Sequence, residues 1–288
     1  MTKASAVLII LLGATFMSFN GVLIKILDGA NGFQVLFYRS IGLCIFVLFF
    51  IGLKRKISVI GVFRTIDVWD TAVGMCLGVA FSSYVFSIFY TSVAYTLFIL
   101  SSTPLIAALF SWLLLDEKPS LVAGVAMILS LFGVIIMVRA GISIGTAWTQ
   151  CLALISAASF AAMLVTTRRS HKSDVLTGTF LGGLFSGVFG LFASIFFVNG
   201  LSVSLYDLNL MILMGALAIG LGITLVTLAA PFVPSAEVSV LVLLESVLGP
   251  LWVWIFLKES VSQSELAGGF IILFSVFLLS YPMKRIIK

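Results

Sequence analysis

The chain has 288 residues, 61% of them hydrophobic and 9% charged, with a net charge of +5 and a mean hydropathy of +1.27. Soluble domains carry roughly 25% charged residues, so this chain has too little polar surface to cover a water-soluble core and reads as a membrane protein. No basic tract is interleaved with aromatics, which argues against a nucleic-acid partner.

A membrane-crossing helix needs about 20 apolar residues. Ten segments meet that requirement, near 5–27, 32–53, 70–89, 92–115, 120–139, 146–167, 175–198, 208–229, 235–257 and 264–283. The first follows Lys3 but ends without a small-residue cleavage site, so it reads as a span rather than a signal peptide. The second carries Arg39 in its apolar run. Residues 54–70, KRKISVIGVFRTIDVWD, form the longest connection and are predicted to lie along the surface. The cysteines Cys44, Cys76 and Cys151 fall in apolar stretches without metal-ligand spacing and read as buried thiols.

With the N-terminus inside, the inner segments hold Lys3, Lys54, Arg55, Lys56, Arg64, Lys118, Arg168, Arg169, Lys172, Lys284, Arg285 and Lys288. The outer loops hold only Arg139 and Lys258, while Lys25 and Arg39 fall within spans. Cytoplasmic loops carry the excess of Lys and Arg, so both termini are expected to be cytoplasmic.

A repeat is legible at half length. TPLIAALFSWLLLDE at 103–117 lies 142 residues before ESVLGPLWVWIFLKE at 245–259, and at that offset Trp112 meets Trp254 and Glu117 meets Glu259. Five spans per half is an odd number, so the halves insert with opposite orientations. The expected fold is therefore an all-α membrane protein of ten transmembrane helices, built as two inverted five-helix repeats over 1–143 and 144–288. Inverted repeats around a site near the midplane are a recurrent plan of secondary transporters, in which broken helices mark the binding site.

Glu245 lies about ten residues into the ninth span, roughly 15 Å deep. A charge there costs about 3 kcal/mol and must face the bundle interior or a wet cavity. Pro250 frees the carbonyl of Ser246, and Pro104 does the same to that of Leu100, beside Ser101, Ser102 and Thr103. Glu245 would bind a substrate amine or carry a proton through the cycle; alternatively it forms a structural ion pair with Arg39. Arg39 itself reads as a gate, a carboxylate site or a structural pair. Lys25 is expected to snorkel outward near Asp28. Glu237 is expected to cap the start of the ninth helix. Asn20 would bind substrate or tie helices together. Tyr84 and Trp252 are the aromatics that would face a cavity, with packing against lipid or core the alternative for each; Trp252 stands two turns beyond Glu245 on the same stripe. The glycines of GMCLG (74–78), GTFLG (178–182) and GLFSG (183–187) have the small-xxx-small spacing of close helix packing.

There is no G-x-x-x-x-G-K-[ST] loop for ATP, no metal cluster, no Ser–His–Asp set and no cofactor motif. The single histidine, His171, sits in the basic loop TTRRSHKSD. These absences argue against an enzyme.

Across its whole length the chain resembles the drug/metabolite transporter superfamily, specifically its ten-span EamA-type exporters. The resemblance is carried by Lys25, by Arg39 in FYRSIG, by Pro104 and Glu117 in TPLIAALFSWLLLDE, and by SAEVSVLVLLESVLGPLWVWIFLKE. The family commonly pairs Glu with Pro directly in the ninth helix, whereas here Glu245 is followed by Ser246 and the proline comes at Pro250. The resemblance implies a five-plus-five bundle with a cavity lined by the first, third, fourth, sixth, eighth and ninth helices. It also implies export of small metabolites, often amino acids or their derivatives, across a bacterial inner membrane. The expected function is a secondary transporter for a small polar or zwitterionic solute, with Pro104 and Pro250 as hinges and the proton as a candidate coupling ion. The protein would be a monomer or a dimer in the lipid bilayer. The alternative is a non-transporting sensor or assembly partner with a dry interior around Glu245.

Overall fold

The computed structural model describes residues 1–56, 59–90, 96, 99–100, 102–138, 147–172, 174–198, 200–258 and 263–280, and all regular structure among them is helical. The helices are α1 (Lys3–Lys25), α2 (Gly32–Arg55), the short α3 (Val59–Arg64), α4 (Val68–Tyr90), α5 (Thr103–Leu115), α6 (Leu121–Val138), α7 (Ala147–Arg169) and α8 (Leu176–Phe197). A continuous run follows: α9 (Leu205–Leu213), a π-helical stretch (Met214–Leu221), α10 (Gly222–Ala229) and a 3₁₀ turn (Ala230–Phe232). The chain then forms α11 (Ser235–Val242), α12 (Leu244–Leu257) and α13 (Gln263–Ser280). Among the described residues, seven helical segments are long and apolar enough to cross a membrane, and three shorter apolar helices accompany them, at Thr103–Leu115, Leu121–Gly133 and Leu266–Leu278.

Local chemistry fixes several of these ends. Asn31 starts α2 with a capping box: its side chain accepts from the Phe33 and Gln34 amides, and the Gln34 side chain accepts from the Asn31 amide at 3.2 Å. Asp116 closes α5 and Lys258 closes α12, each in the left-handed region at φ 55° and 56°. These two residues stand 142 positions apart, the same offset that relates the halves in sequence.

Packing repeats the same relation. Taking the apolar segments in order, the third packs on the sixth and seventh, and the eighth packs on the first and second. The fourth packs on the sixth, and the ninth on the first. The second meets the seventh, the fifth meets the tenth, and the fourth meets the ninth. Exchanging the first five segments with the last five maps these particular contacts onto one another. The glycine motifs sit at close approaches between these helices. A Cβ on Gly74 would come 2.5 Å from the Leu181 Cβ, and one on Gly182 would come 2.5 Å from that of Leu77. The second and eighth segments approach more closely still. There, a Cβ on Gly215 would overlap the Arg39 carbonyl, and one on Gly42 would overlap that of Ile212.

Three local expectations change. The break in the ninth segment lies at Leu243, seven residues before Pro250. At Leu243 the backbone tightens into i→i−3 bonds, from the Leu243 amide to Val240 O at 3.1 Å and from the Ser246 amide to Leu243 O at 3.0 Å. Pro250 is carried inside α12, where a continuous helix can absorb one missing bond. Pro104 is the second residue of α5, where its missing amide proton is not needed. The interruption of the fourth segment is thus a turn at Ser102 rather than a kink within α5. Cys151 is exposed on the outside of the bundle, and Cys44 and Cys76 are only part-buried, because all three lie on helices with a lipid-facing side.

Charges gather at the end of the bundle that carries Lys3, called here the basic end. Lys3 pairs with Glu237 at 2.6 Å, joining the starts of the first and ninth segments. Lys54 and Arg55 both pair with Asp174 at 3.1 Å, and Lys172 pairs with Asp67 at 2.7 Å and Asp70 at 2.9 Å. Burial raises the Asp174 pKa, but Arg55, the Leu176 amide and Lys54 outweigh it and hold the carboxyl below its ordinary value. A depressed folded-state pKa stabilises above the ordinary carboxyl pKa and is lost as pH falls through the folded value. At the opposite end, Tyr38 donates to Leu201 O at 2.6 Å, and Asp207 accepts from the Asp28 amide at 2.9 Å.

Candidate functional site

One cavity of about 90 Å³ lies inside the bundle. Its wall is built from short stripes. Met17 and Asn20 come from the first segment, Ala80, Phe81 and Tyr84 from the third, and Ser156 and Phe160 from the sixth. Ser239, Val242, Leu243 and Ser246 come from the ninth. Each set has the i, i+3, i+4, i+7 spacing of one helix face. Arg39 enters from the second segment, Leu100 and Thr103 from the fourth, Ile219 from the π-helical stretch of the eighth, and Glu245 from the start of α12. A space of this size holds several waters or part of a small solute.

The charged pair in this wall is not closed. Among the described residues neither Arg39 nor Glu245 forms an ion pair within 4.0 Å, so the direct structural pair expected of them is not formed. Arg39 is 2% exposed, and its guanidinium carbon stands 5.5 Å from the centre of the Phe81 ring, in cation–π range. Its backbone is closely approached by Gly215, where a Cβ would overlap the Arg39 carbonyl. Glu245 is partly exposed, in keeping with its place on the wall. Both Nη atoms of Arg39, both polar atoms of the Asn20 amide and the Thr103 hydroxyl are buried without a hydrogen-bond partner among the described residues. Each such group costs about 1–3 kcal/mol, more where it is charged. Five such atoms around one space make that space chemically prepared for a polar visitor.

Other expected residues lie elsewhere. Trp252 turns away from the cavity, because its indole NH donates to the Ser18 hydroxyl at 2.7 Å and its ring stacks on Phe19 at 4.6 Å and 11°. Ser102 donates to Ile99 O at 2.6 Å, within its own turn. Pro104 is buried just beyond Thr103, and Lys25 ends α1 away from the cavity wall. Ser101 lies outside the described residues. Glu237 is spent on Lys3 and makes no side-chain cap. Phe81, Ser156, Phe160, Ser239 and Ser246 line the cavity without having been singled out in the sequence. The signal for the ninth segment was present, since 239, 242, 243 and 246 form a stripe beside Glu245. Ser156 also donates to Ala80 O at 3.0 Å, tying the sixth segment to the third.

Trp252→Phe keeps the stack on Phe19 and loses only the bond to Ser18. It is expected to cost about 1 kcal/mol of stability, read as a small drop in melting temperature, with solute exchange left at the parental rate.

Two stretches of the chain, residues 4–139 and 147–281, match the model of the EamA-like transporter family. The chain belongs to the EamA-like transporter family. It is accordingly a multi-pass membrane transporter whose membrane-crossing segments are helical. One solved crystal structure superposes on this EamA-like chain with a TM-score of 0.80 at 17% identity, covering 96% of this chain and 98% of that one. At that identity the likeness concerns the fold. A search of curated proteins gave no match.

Proposed function

We propose that this EamA-like protein is a secondary transporter that exports a small zwitterionic metabolite, an amino acid or a derivative, by alternating access around the central cavity. The observation that carries this reading is the placement of Arg39 and Glu245 on one small cavity without mutual pairing. A cation and an anion kept apart in a low-dielectric wall match a solute that carries a carboxylate and an ammonium group. Asn20 and Thr103 offer neutral hydrogen bonds to the same solute, and Tyr84, Phe81 and Phe160 offer apolar wall to its side chain. Binding energy comes from pairing groups that are otherwise buried and unsatisfied.

In this reading residues 1–143 and 144–288 are the two inverted repeats, ten helices cross the bacterial inner membrane, and both termini are cytoplasmic. The clustering of Lys3, Lys54, Arg55, Arg168 and Lys172 at one end supports that orientation. The halves rock about the breaks at Ser102 and Leu243, with Pro104 and Pro250 stiffening the helices beyond them. Glu245 also serves as the proton-carrying group if export is coupled to a pH gradient. No catalytic role is assigned to any residue, and the transporter works as a monomer or dimer without a cofactor.

Flux in proteoliposomes tests this. Vesicles loaded with labelled amino acids and other small metabolites, with and without a pH gradient, are expected to release zwitterions selectively. Gradient dependence is expected to vanish in Glu245→Gln. Release of no zwitterion above the protein-free rate would sink the proposal.

A further inference from the structure

We propose that Arg168 and Glu117 form a gate at the basic end of the transport path, a pair that must part before solute passes between that end and the central cavity. This rests on the transporter reading above.

Arg168 is the penultimate residue of α7, and Glu117 stands just past the end of α5. The Arg168 Nε donates to both carboxylate oxygens of Glu117, at 3.0 and 3.1 Å, and Nη2 stands 3.0 Å from Oε1. Nη1 donates to Pro231 O at 2.6 Å, in the 3₁₀ turn that ends the eighth segment. One guanidinium therefore binds together the ends of the fourth, sixth and eighth segments. Nearer the centre of the bundle, the same three segments line the cavity through Thr103, Ser156 and Ile219. Against the pair lies a second, wider space of about 500 Å³, bordered by Asp116, Lys172, Pro231 and Phe232 as well as by the pair itself. It has the size and polarity of a vestibule.

The pair is suited to opening. The Arg168 and Glu117 side chains are 26% and 35% exposed. A pair so exposed biases an equilibrium by no more than about fivefold, so it can break within a transport cycle. A permanent clamp on three helix ends would be better built from buried apolar contacts. Lys3–Glu237 joins the first and ninth segments at the same end in the same way, with Lys3 56% exposed.

The inverted repeat supplies the second line of support. At the 142-residue offset Glu117 stands against Glu259, and Arg168 stands against Ile26, beside Lys25 at the end of α1. Inversion assigns that neighbourhood to the opposite end. The left-handed residues Asp116 and Lys258 immediately precede the two glutamates. Glu259 lies outside the described residues, and the correspondence is one of sequence.

Thiol labelling tests the gate independently of flux. Thr103→Cys, in full-length protein with Cys44, Cys76 and Cys151 replaced by alanine, is labelled in membrane vesicles by an impermeant maleimide added from the basic-end side. Arg168→Ala and Glu117→Gln are each expected to raise the labelling rate about fivefold, and Arg168→Lys is expected to stay near the parental rate. Only protein assembled in the membrane is scored, and Glu117→Gln preserves shape where Arg168→Ala fails to assemble. Rates unchanged in both Arg168→Ala and Glu117→Gln overturn the gate even if wild-type flux is present. A shift in labelling without any flux in the wild type keeps the latch and removes the transporter reading instead.

Discussion

Glu245→Gln is expected to lower exchange of a zwitterionic solute at least about a hundredfold while leaving the fold intact. Glutamine keeps the shape of the side chain and removes the charge. Breaking a buried ion pair by neutralising one partner costs roughly 3–5 kcal/mol, and each 1.4 kcal/mol is about a factor of ten. In the free protein Glu245 has no ion-pair partner within 4.0 Å among the described residues, so the fold loses little when the charge goes. The loss falls on the bound state, where the solute ammonium would be left without its counter-charge. Size-exclusion profile and melting temperature close to wild type, with exchange reduced, make up the expected pair of results. A large drop in melting temperature with exchange retained would instead assign Glu245 a structural role.

Gly215→Ala is expected to destabilise the protein by about 3 kcal/mol, the upper part of the range for overpacking. A Cβ at that position would overlap the Arg39 carbonyl and lie 3.0 Å from the Arg39 Cα. Both are backbone atoms of an adjacent membrane helix, so no rotamer change relieves the clash. The second segment would have to move away from the eighth, taking the Arg39 guanidinium off Phe81 and out of its place on the cavity wall. The melting temperature of the purified protein should fall by roughly 6–12 °C, and exchange should fall with it. Gly124→Ala is the matched control. It also lies in an apolar helix, but a Cβ there meets nothing within 4 Å, so a neutral or slightly stabilising effect is expected. Equal melting temperatures for the two variants would remove the close second-to-eighth contact from the account.

The 142-residue correspondence left marks that survive in an apolar chain: Trp112 against Trp254 and Glu117 against Glu259, beside a break in the fourth and the ninth segments. The polar cluster was legible for a related reason. Asn20, Arg39, Thr103 and Glu245 are conspicuous among hydrocarbon side chains, since burying any of them is expensive. What the pattern could not supply was direction. Trp252 lies two turns beyond Glu245 in the same unbroken helix, yet its bond to Ser18 and its stack on Phe19 hold it on the first helix. Nor could composition reveal the π-helical stretch at Met214–Leu221. Its glycines were not singled out in the sequence, and the contact of Gly215 with Arg39 shows which backbone they admit. Proline was a partial guide: it marks the neighbourhood of a break, while the geometry of the break depends on where hydrogen bonds shorten to i→i−3.

The most direct test of the central claim is equilibrium binding of a labelled zwitterion, competed by two analogues, one lacking the ammonium group and one with its carboxylate esterified. Wild-type protein is predicted to reject both analogues. Glu245→Gln should lose discrimination against the des-amino analogue alone, and Arg39→Gln should lose it against the ester alone. Equal competition by zwitterion and both analogues in the wild type would contradict the account, since the cavity would then not be reading the two charges of its solute.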